Sequence, residues 1–189
     1  PEILKGCHYK GGFDCVAIYL RNNPESRFFS KKGLILGGSH SPSPLNSEAH
    51  QGDLSAVLLQ NLNPLVNLIR VPKKPIILMD EWESKIKAIV ENTWNKDVNS
   101  LSGVPSWMLV LIKAVLKKTG REYLTDVWPN LEVFFHGGIS FEPYREQYKT
   151  LIPSNKMHYM ETYNASEGFF GLQDDPADPS LLMMPGYGI

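Results

Sequence analysis

Cysteine is scarce: only Cys7 and Cys15 occur in 189 residues, eight apart in a stretch with helical apolar spacing. On a helix they stand about 12 Å apart along the axis, too far to bridge, so both are expected as reduced thiols, which favours a cytoplasmic setting. An excess of charge is missing as well. With 19 basic and 20 acidic residues the formal net charge is -1, which supplies no basic face for nucleic acid or an anionic membrane, and neither is expected as a partner. Apolar runs such as residues 107–112 fall far short of the roughly 20 residues a membrane span needs. No signal peptide is visible and the chain starts at Pro1, so it is expected to be a fragment or a processed product whose missing leader says little about the parent. There is no internal repeat, low-complexity block or evident boundary. A composition of 42% hydrophobic and 21% charged residues suits one folded domain over residues 1–189.

What is present reads as strands alternating with helices. Ile3, Leu4, Cys7, Cys15, Ala17 and Ile18 predict a helix over residues 1–20, with Pro1 and Glu2 in its first turn and Gly11-Gly12 as a weak point. A charged loop over 21–32 leads to a buried strand over 33–37, and the Ser-, Pro- and His-rich residues 38–44 read as a loop. His40 there could touch a ligand, or could simply cap a neighbouring backbone group. Two short helices are expected over 53–70, the second opened by Pro64, then a short apolar stretch over 76–79. Asp80 and Glu83 resemble a capping box for a helix over 80–94, with Trp82, Ile86, Ile89 and Val90 inward and Glu83, Lys85, Lys87 and Glu91 on a solvated face. A strand over 98–104 runs into a helix opened by Pro105 and closed by Gly120. A turn at 128–130, a strand over 131–135 and a helix from Phe141 follow. The acidic residues 174–179 read as a solvated loop without calcium-site spacing, and 181–184 as a strand. Strand, tight turn and buried helix are α/β grammar, so the expected fold is a three-layer α/β fragment, with a mixed or mostly parallel sheet flanked by helices and strands near Leu34, Val133 and Tyr159.

Residues 157–171 concentrate the chemistry. Met157, Tyr159 and Glu161 alternate with His158, Met160 and Thr162, predicting a short, mostly buried strand that breaks at Asn164, Ala165 and Ser166. Glu167 follows with Gly168 leaving its flank open. One carboxylate there can serve Mg²⁺, which takes one or two protein carboxylates plus phosphates and water. A solvated glutamate in a hairpin is the plain alternative, and on spacing alone the commoner one. Gly137 and Gly138, at a strand-to-helix turn, mark either a close backbone approach or a bare chain reversal.

Tyr163-Asn164-Ala165-Ser166-Glu167 resembles the Tyr-Gly-x-Thr-Glu motif of the adenylate-forming superfamily, which includes acyl-CoA synthetases and luciferases. With Thr162 before it and Gly168-Phe169-Phe170-Gly171 after it, the run resembles the Thr-Tyr-Ala-Ser-Ser-Glu and Phe-Gly segment of the auxin-responsive acyl-acid amido synthetases. Asn164 and Ala165 depart from the Ala and Ser usual in that branch. His136-Gly137-Gly138-Ile139-Ser140 resembles the turn that the superfamily lays against adenine, and residues 104–108 resemble a segment lining its acyl pocket. The resemblance implies that Gly137, Gly138 and Ile139 form one adenine wall and that Thr162 and Tyr163 flank the other. It further implies that Ser166 bonds the α-phosphate, Glu167 binds Mg²⁺, and Ser106 and Met108 meet the acyl group; the core is a competing explanation for Met108. ATP and Mg²⁺ are the implied cofactors, and a small carboxylic acid and an amine acceptor the implied partners. The family's phosphate loop, ribose-binding Asp and lid domain have no counterpart here, so the chain is expected to be an internal piece of the large N-terminal domain, inactive alone. The parent would adenylate an acid and pass the acyl group to an amino acid or another amine. A CoA ligase of the same superfamily and a scaffold with a degenerate site stay open as alternatives.

Overall fold

The computed structural model describes residues 4–43, 46–175 and 177–186, with backbone alone for Lys5, residues 40–43 and residues 46–51. The elements in chain order are a π-helical turn (Leu4–Tyr9), α1 (Lys10–Asn22), β1 (Lys32–Leu36), β2 (His40–Ser43), β3 (Asn46–Gly52), α2 (Leu54–Gln60), α3 (Val66–Ile69), β4 (Arg70–Val71), α4 (Lys74–Ile77) and α5 (Trp82–Thr93). They continue with β5 (Val98–Gly103), α6 (Pro105–Thr119), β6 (Val133–Gly137), a 3-10 turn (Glu142–Tyr144), α7 (Arg145–Leu151), β7 (His158–Ala165), β8 (Gly168–Leu172) and β9 (Leu182–Met183). Among the described residues seven strands form one sheet in the order β4-β1-β5-β6-β7-β8-β9. The pairs from β4 to β7 are parallel, and β8 and β9 add an antiparallel edge.

Period-2 alternation along β6 divides the layers. Phe134 joins the main core with Ile86, Ile89, Met108, Leu111, Ile112 and Tyr148 from α5, α6 and α7, while Val133 and Phe135 pack on the opposite side with Tyr19 of α1. α6 shows why this sequence makes a helix here. Pro105 presets its first turn, and Gly120 ends it at φ 65. Its inward side buries Met108, Leu109, Leu111, Ile112, Val115 and Leu116, each contributing about 1.5–3 kcal/mol of transfer free energy. On the other face, Gly11 lets α1 approach the sheet: a Cβ there would stand 2.4 Å from the Phe169 ring. The helix runs through Gly11-Gly12 without a break.

Several sequence expectations are corrected. Residues 38–44 are not a plain loop, because His40–Ser43 pairs antiparallel with Asn46–Gly52 as a separate hairpin. The first element is not one α-helix but a π turn followed by α1. The apolar stretch over 76–79 falls in or beside the short helix α4. The cap of α5 is Glu81, not Asp80: its carboxylate accepts from the amides of Glu83 and Ser84 at 2.9 and 2.7 Å. Lys85 does not join the solvated face but is buried. β7 is longer and wetter than expected, with Met160 its buried residue, and it turns at Ser166-Glu167 rather than at Asn164 to Ser166. Pro1, Glu2, Ile3, Pro44 and Pro176 lie outside the described residues, as does the side chain of His40.

Candidate functional site

The parallel strands β1, β5, β6 and β7 end along one edge, where the register aligns Leu36, Gly103, His136 and Glu161 across neighbouring strands. One step further, Gly137 pairs with Thr162. A Cβ on Gly137 would lie 2.3 Å from the Thr162 carbonyl oxygen, so no side chain fits between these strands. Thr162 Oγ1 ties them further by donating to the His136 carbonyl at 3.1 Å. Gly138 then takes φ 84, turning the chain away from the sheet. Ile139 beyond it is exposed.

β7 continues into a two-residue hairpin in which Ala165 pairs with Gly168, leaving Ser166 and Glu167 at the exposed tip. Among the described residues none but glycine has positive φ, so the tip is not one of the primed turns that suit strand twist. The register shift between Tyr163 and Asn164 is a bulge, a feature that adds local twist. Tyr163 is 51% exposed and leans on Phe170 with ring centroids 5.4 Å apart. Behind the tip, His8 is buried, and neither ring nitrogen has a hydrogen-bond partner among the described residues. Burial lowers its pKa, opposed by the nearby Ser166 main chain.

Beside this surface lies a stack that the sequence reading missed. His136 is 2% exposed and packs on Phe141 at 4.3 Å; Phe141 also stacks on Tyr159 at 4.9 Å and carries the Arg145 guanidinium 5.1 Å from its centroid. Burial, reinforced by the Arg145 charge, pushes His136 down to about 3, so its ring is neutral. His136 Nδ1 and Tyr159 Oη have no hydrogen-bond partner among the described residues. Glu161 is half-buried, its pKa raised by burial and pulled back by Arg145. The alternation of Tyr159, Glu161 and Tyr163 in the sequence, and the position of His136 just before the paired glycines, are the signals that could have found this group.

Gly137, Gly138, Thr162 and Tyr163 are thus brought together, with Ile139, Ser166 and Glu167 exposed around them. Ser106 is half-buried in the first turn of α6, and Met108 is fully buried in the main core. Mg²⁺ needs only one or two carboxylates when phosphates and water complete its shell, and an accessible Glu167 fits that demand. Among the described residues no cluster of three or more His, Cys, Asp or Glu could hold a metal by itself. A half-exposed tyrosine ring beside a side-chain-free backbone also suits a flat base. A depression of about 590 Å³ lies at the opposite end of the sheet, lined by Trp94, Asp97, Lys118, Arg121 and Asp126 among others. Lys118 there is paired with Glu91, and Asp97 with Lys31 and Asn130. The carbonyl ends of α5 and α6 are also there, a poor setting for an anionic nucleotide, so the strand-end surface is the better candidate. No described helix is long and apolar enough to cross a membrane.

Among solved structures, one described as "GH3.15 acyl acid amido synthetase" aligns with a TM-score of 0.70 at 14% identity, covering 98% of this chain and 42% of that one. The match establishes a shared fold. A long-chain-fatty-acid-CoA ligase (FadD1) from Archaeoglobus fulgidus aligns with a TM-score of 0.36 at 14% identity, covering 75% of this chain and 25% of that one. No curated protein matches the chain. The family model described as "GH3 family N-terminal domain" matches residues 5–157, and the chain belongs to that family.

Proposed function

We propose that this domain is part of an ATP-dependent acyl-acid amido synthetase, which joins a small carboxylic acid to an amine through an acyl-adenylate. The observation that carries the reading is the pairing of Gly137 with Thr162, because it sets the two nucleotide-like segments side by side at the carboxy ends of parallel strands. Membership of the family and the shared fold support it. A carboxylate is a poor electrophile. In the first half-reaction its oxygen attacks the α-phosphorus of ATP and pyrophosphate leaves; in the second the amine attacks the acyl carbon and AMP leaves.

In this reading, Tyr163 lies against the adenine, with Thr162 behind it and Gly137, Gly138 and Ile139 opposite. Ser166 donates its hydroxyl to an α-phosphate oxygen, and Glu167 holds Mg²⁺. Mg²⁺, when bound, neutralises phosphate charge so that pyrophosphate leaves more readily. The chain needs no covalent nucleophile of its own, since the acid supplies the attacking oxygen and the protein orients it and offsets charge. Neutral His136 and the Phe141 ring provide a dry flank for that chemistry. In this reading residues 1–189 carry part of the site and are inactive on their own. Both thiols are free, which fits a reducing, cytosolic setting.

The test is acid-dependent exchange of pyrophosphate into ATP by the full-length protein carrying this domain, followed by transfer to amino acids or to CoA. Exchange with some small acid and transfer to an amino acid are the expected results. No exchange with any acid would defeat the reading, and transfer to CoA alone would reassign the acceptor.

A further inference from the structure

Lys85 of α5 is 2% exposed, and among the described residues its ammonium forms no ion pair with a carboxylate. It donates to the carbonyls of Gly37 at 2.7 Å and Gly38 at 2.8 Å, in the segment that leaves the carboxy end of β1. The same segment is held from the other side. Gly38 N donates to Ser55 Oγ at 2.8 Å, Ser39 N donates to Asp53 Oδ2 at 3.1 Å, and Asp53 N returns to the Ser39 carbonyl at 3.2 Å. The fit leaves no spare room, since a Cβ on Gly38 would stand 1.9 Å from Asp53 Oδ2. Residues 37–39 and Asp53 are also the two roots of the β2–β3 hairpin.

Burying an ammonium is costly, and an aliphatic side chain would fill the same volume of core. What the ammonium adds is a pair of directed bonds that fix the loop backbone. Burial lowers the pKa of Lys85, and the charge of Asp53 across the loop opposes that shift. Gly37 and Gly38 are buried, whereas Ser39 is half-buried and Asp53 exposed, so the clamped segment presents one side to water. That side stands at the same strand-end edge as the Gly137–Thr162 pair, because Leu36, Gly103 and His136 align across β1, β5 and β6. β1 is three strand spacings from β7, about 14 Å, so residues 37–39 lie across β5 and β6 from the Tyr163-to-Glu167 segment, on the side where Ser106 opens α6 after β5.

We propose that Lys85 is a positioning residue for the carboxylic-acid substrate: through the Gly37 and Gly38 carbonyls it holds residues 37–39, and with them the root of the β2–β3 hairpin, as a wall of the acid's subsite. The proposal rests on the adenylation reading above.

The experiment is pyrophosphate exchange by the full-length protein and its Lys85→Met and Ser55→Ala variants, with acid and ATP varied separately and folding checked by circular dichroism. Lys85→Met keeps the bulk and removes both donated bonds. It is expected to raise KM for the acid at least about tenfold while KM for ATP stays within about twofold; Ser55→Ala should move the acid KM the same way, by at least about threefold. An unchanged acid KM in a folded Lys85→Met protein overturns the proposal. A fall in kcat with both KM values unchanged, as a loss of folded enzyme would produce, overturns it as well. Where Lys85→Met fails to fold, Ser55→Ala alone decides, and an unchanged acid KM again overturns the proposal. Absence of exchange by the wild-type protein defeats the adenylation reading itself and this proposal with it, whereas wild-type exchange with an unaffected variant defeats the proposal alone.

Discussion

The two ends of the strand-end edge are built in opposite ways. At β1, the buried carbonyls of Gly37 and Gly38 meet the Lys85 ammonium, and the amides of Gly38 and Ser39 meet Ser55 and Asp53. At β6 and β7, His136 Nδ1 and Tyr159 Oη lack partners among the described residues, while Ile139, Tyr163, Ser166 and Glu167 face water. Buried polar groups are nearly always bonded because leaving one bare costs free energy comparable to a lost hydrogen bond. A fully bonded end is a fixed wall. The β6–β7 end instead leaves Ile139, Tyr163, Ser166 and Glu167 open to solvent.

The largest expected effect breaks the second end outright. Gly137→Val would drive a side chain into the Thr162 carbonyl, and the obstacle is backbone that cannot rotate aside. β6 and β7 must part, at a cost of about 3 kcal/mol, the upper part of the overpacking range. Urea unfolding should show the loss. Gly12→Ala serves as the control: with nothing within 4 Å of its Cβ and a helical backbone, it should gain about 0.5–1 kcal/mol. A neutral Gly137→Val would mean that the strands are not in this contact.

Next in size is an acid-induced loss centred on His136. Its folded pKa is depressed to about 3 from 6.5, so the fold accepts the neutral ring and resists the proton. Above pH 6.5 the ring is neutral in both states and costs nothing. As pH falls below 6.5, the unfolded chain binds a proton that the folded chain does not, and stability drops by up to about 1.4 kcal/mol per pH unit until near pH 3. Between about pH 6.5 and pH 5 that amounts to about 2 kcal/mol. His8 and His158 are shifted in the same direction, so the wild-type slope should exceed one proton. His136→Gln should remove about one proton from the slope, and urea titrations at several pH values would show it. An unchanged slope would mean that His136 is not sheltered from solvent.

How well the sequence announced these regions follows from which physics governs each. β5, α6 and β6 were legible because local rules and tertiary packing agree there: Pro105 opens, Gly120 closes, and the apolar positions between them all face one core. The β2–β3 hairpin was not legible, since Ser41, Pro42 and Ser43 carry no alternation, although the segment they pair with, 46–52, follows almost at once in the chain. Lys85 was misread for a different reason. A helical wheel sorts residues by type, but a four-carbon stem can cross a core and bring its ammonium to carbonyls more than forty residues away in sequence. At the candidate site, Gly137, Gly138 and the Tyr163-to-Glu167 run stood out by residue type. His136, Tyr159, Glu161 and Arg145 did not, because only the strand register and the fold of the Phe141 turn bring them together.

A milder test sharpens the contrast without disturbing the fold. Tyr163→Ala removes a half-exposed ring whose described aromatic neighbour is Phe170, so stability should change by less than about 1 kcal/mol. ATP affinity of the full-length protein should fall by about 1–3 kcal/mol, the range for stacking of a base on an aromatic side chain. Isothermal titration with ATP would read both affinity and stoichiometry. Unchanged affinity would remove Tyr163 from the nucleotide surface.

The smallest effect on the fold, and the most specific on function, belongs to Glu167. It sits at the exposed tip of the β7–β8 hairpin, where Glu167→Gln preserves shape and hydrogen bonding and deletes one charge. Surface changes of this kind usually alter stability by no more than about 0.5 kcal/mol, so the unfolding midpoint should hardly move. The β1 wall should be equally untouched, leaving KM for the acid as in the wild type. If Glu167 holds Mg²⁺, however, the variant loses the one protein charge assigned to the metal, and because Mg²⁺ depends on so few protein ligands the loss is felt directly. Pyrophosphate exchange should then fall at low Mg²⁺ and recover in part as Mg²⁺ is raised, shifting the metal dependence rather than merely scaling the rate. A variant that follows the wild-type Mg²⁺ curve at every concentration would leave Glu167 as an ordinary solvated turn residue. A variant that loses rate by the same factor at all concentrations would place its role in orienting the phosphate and not in binding the metal.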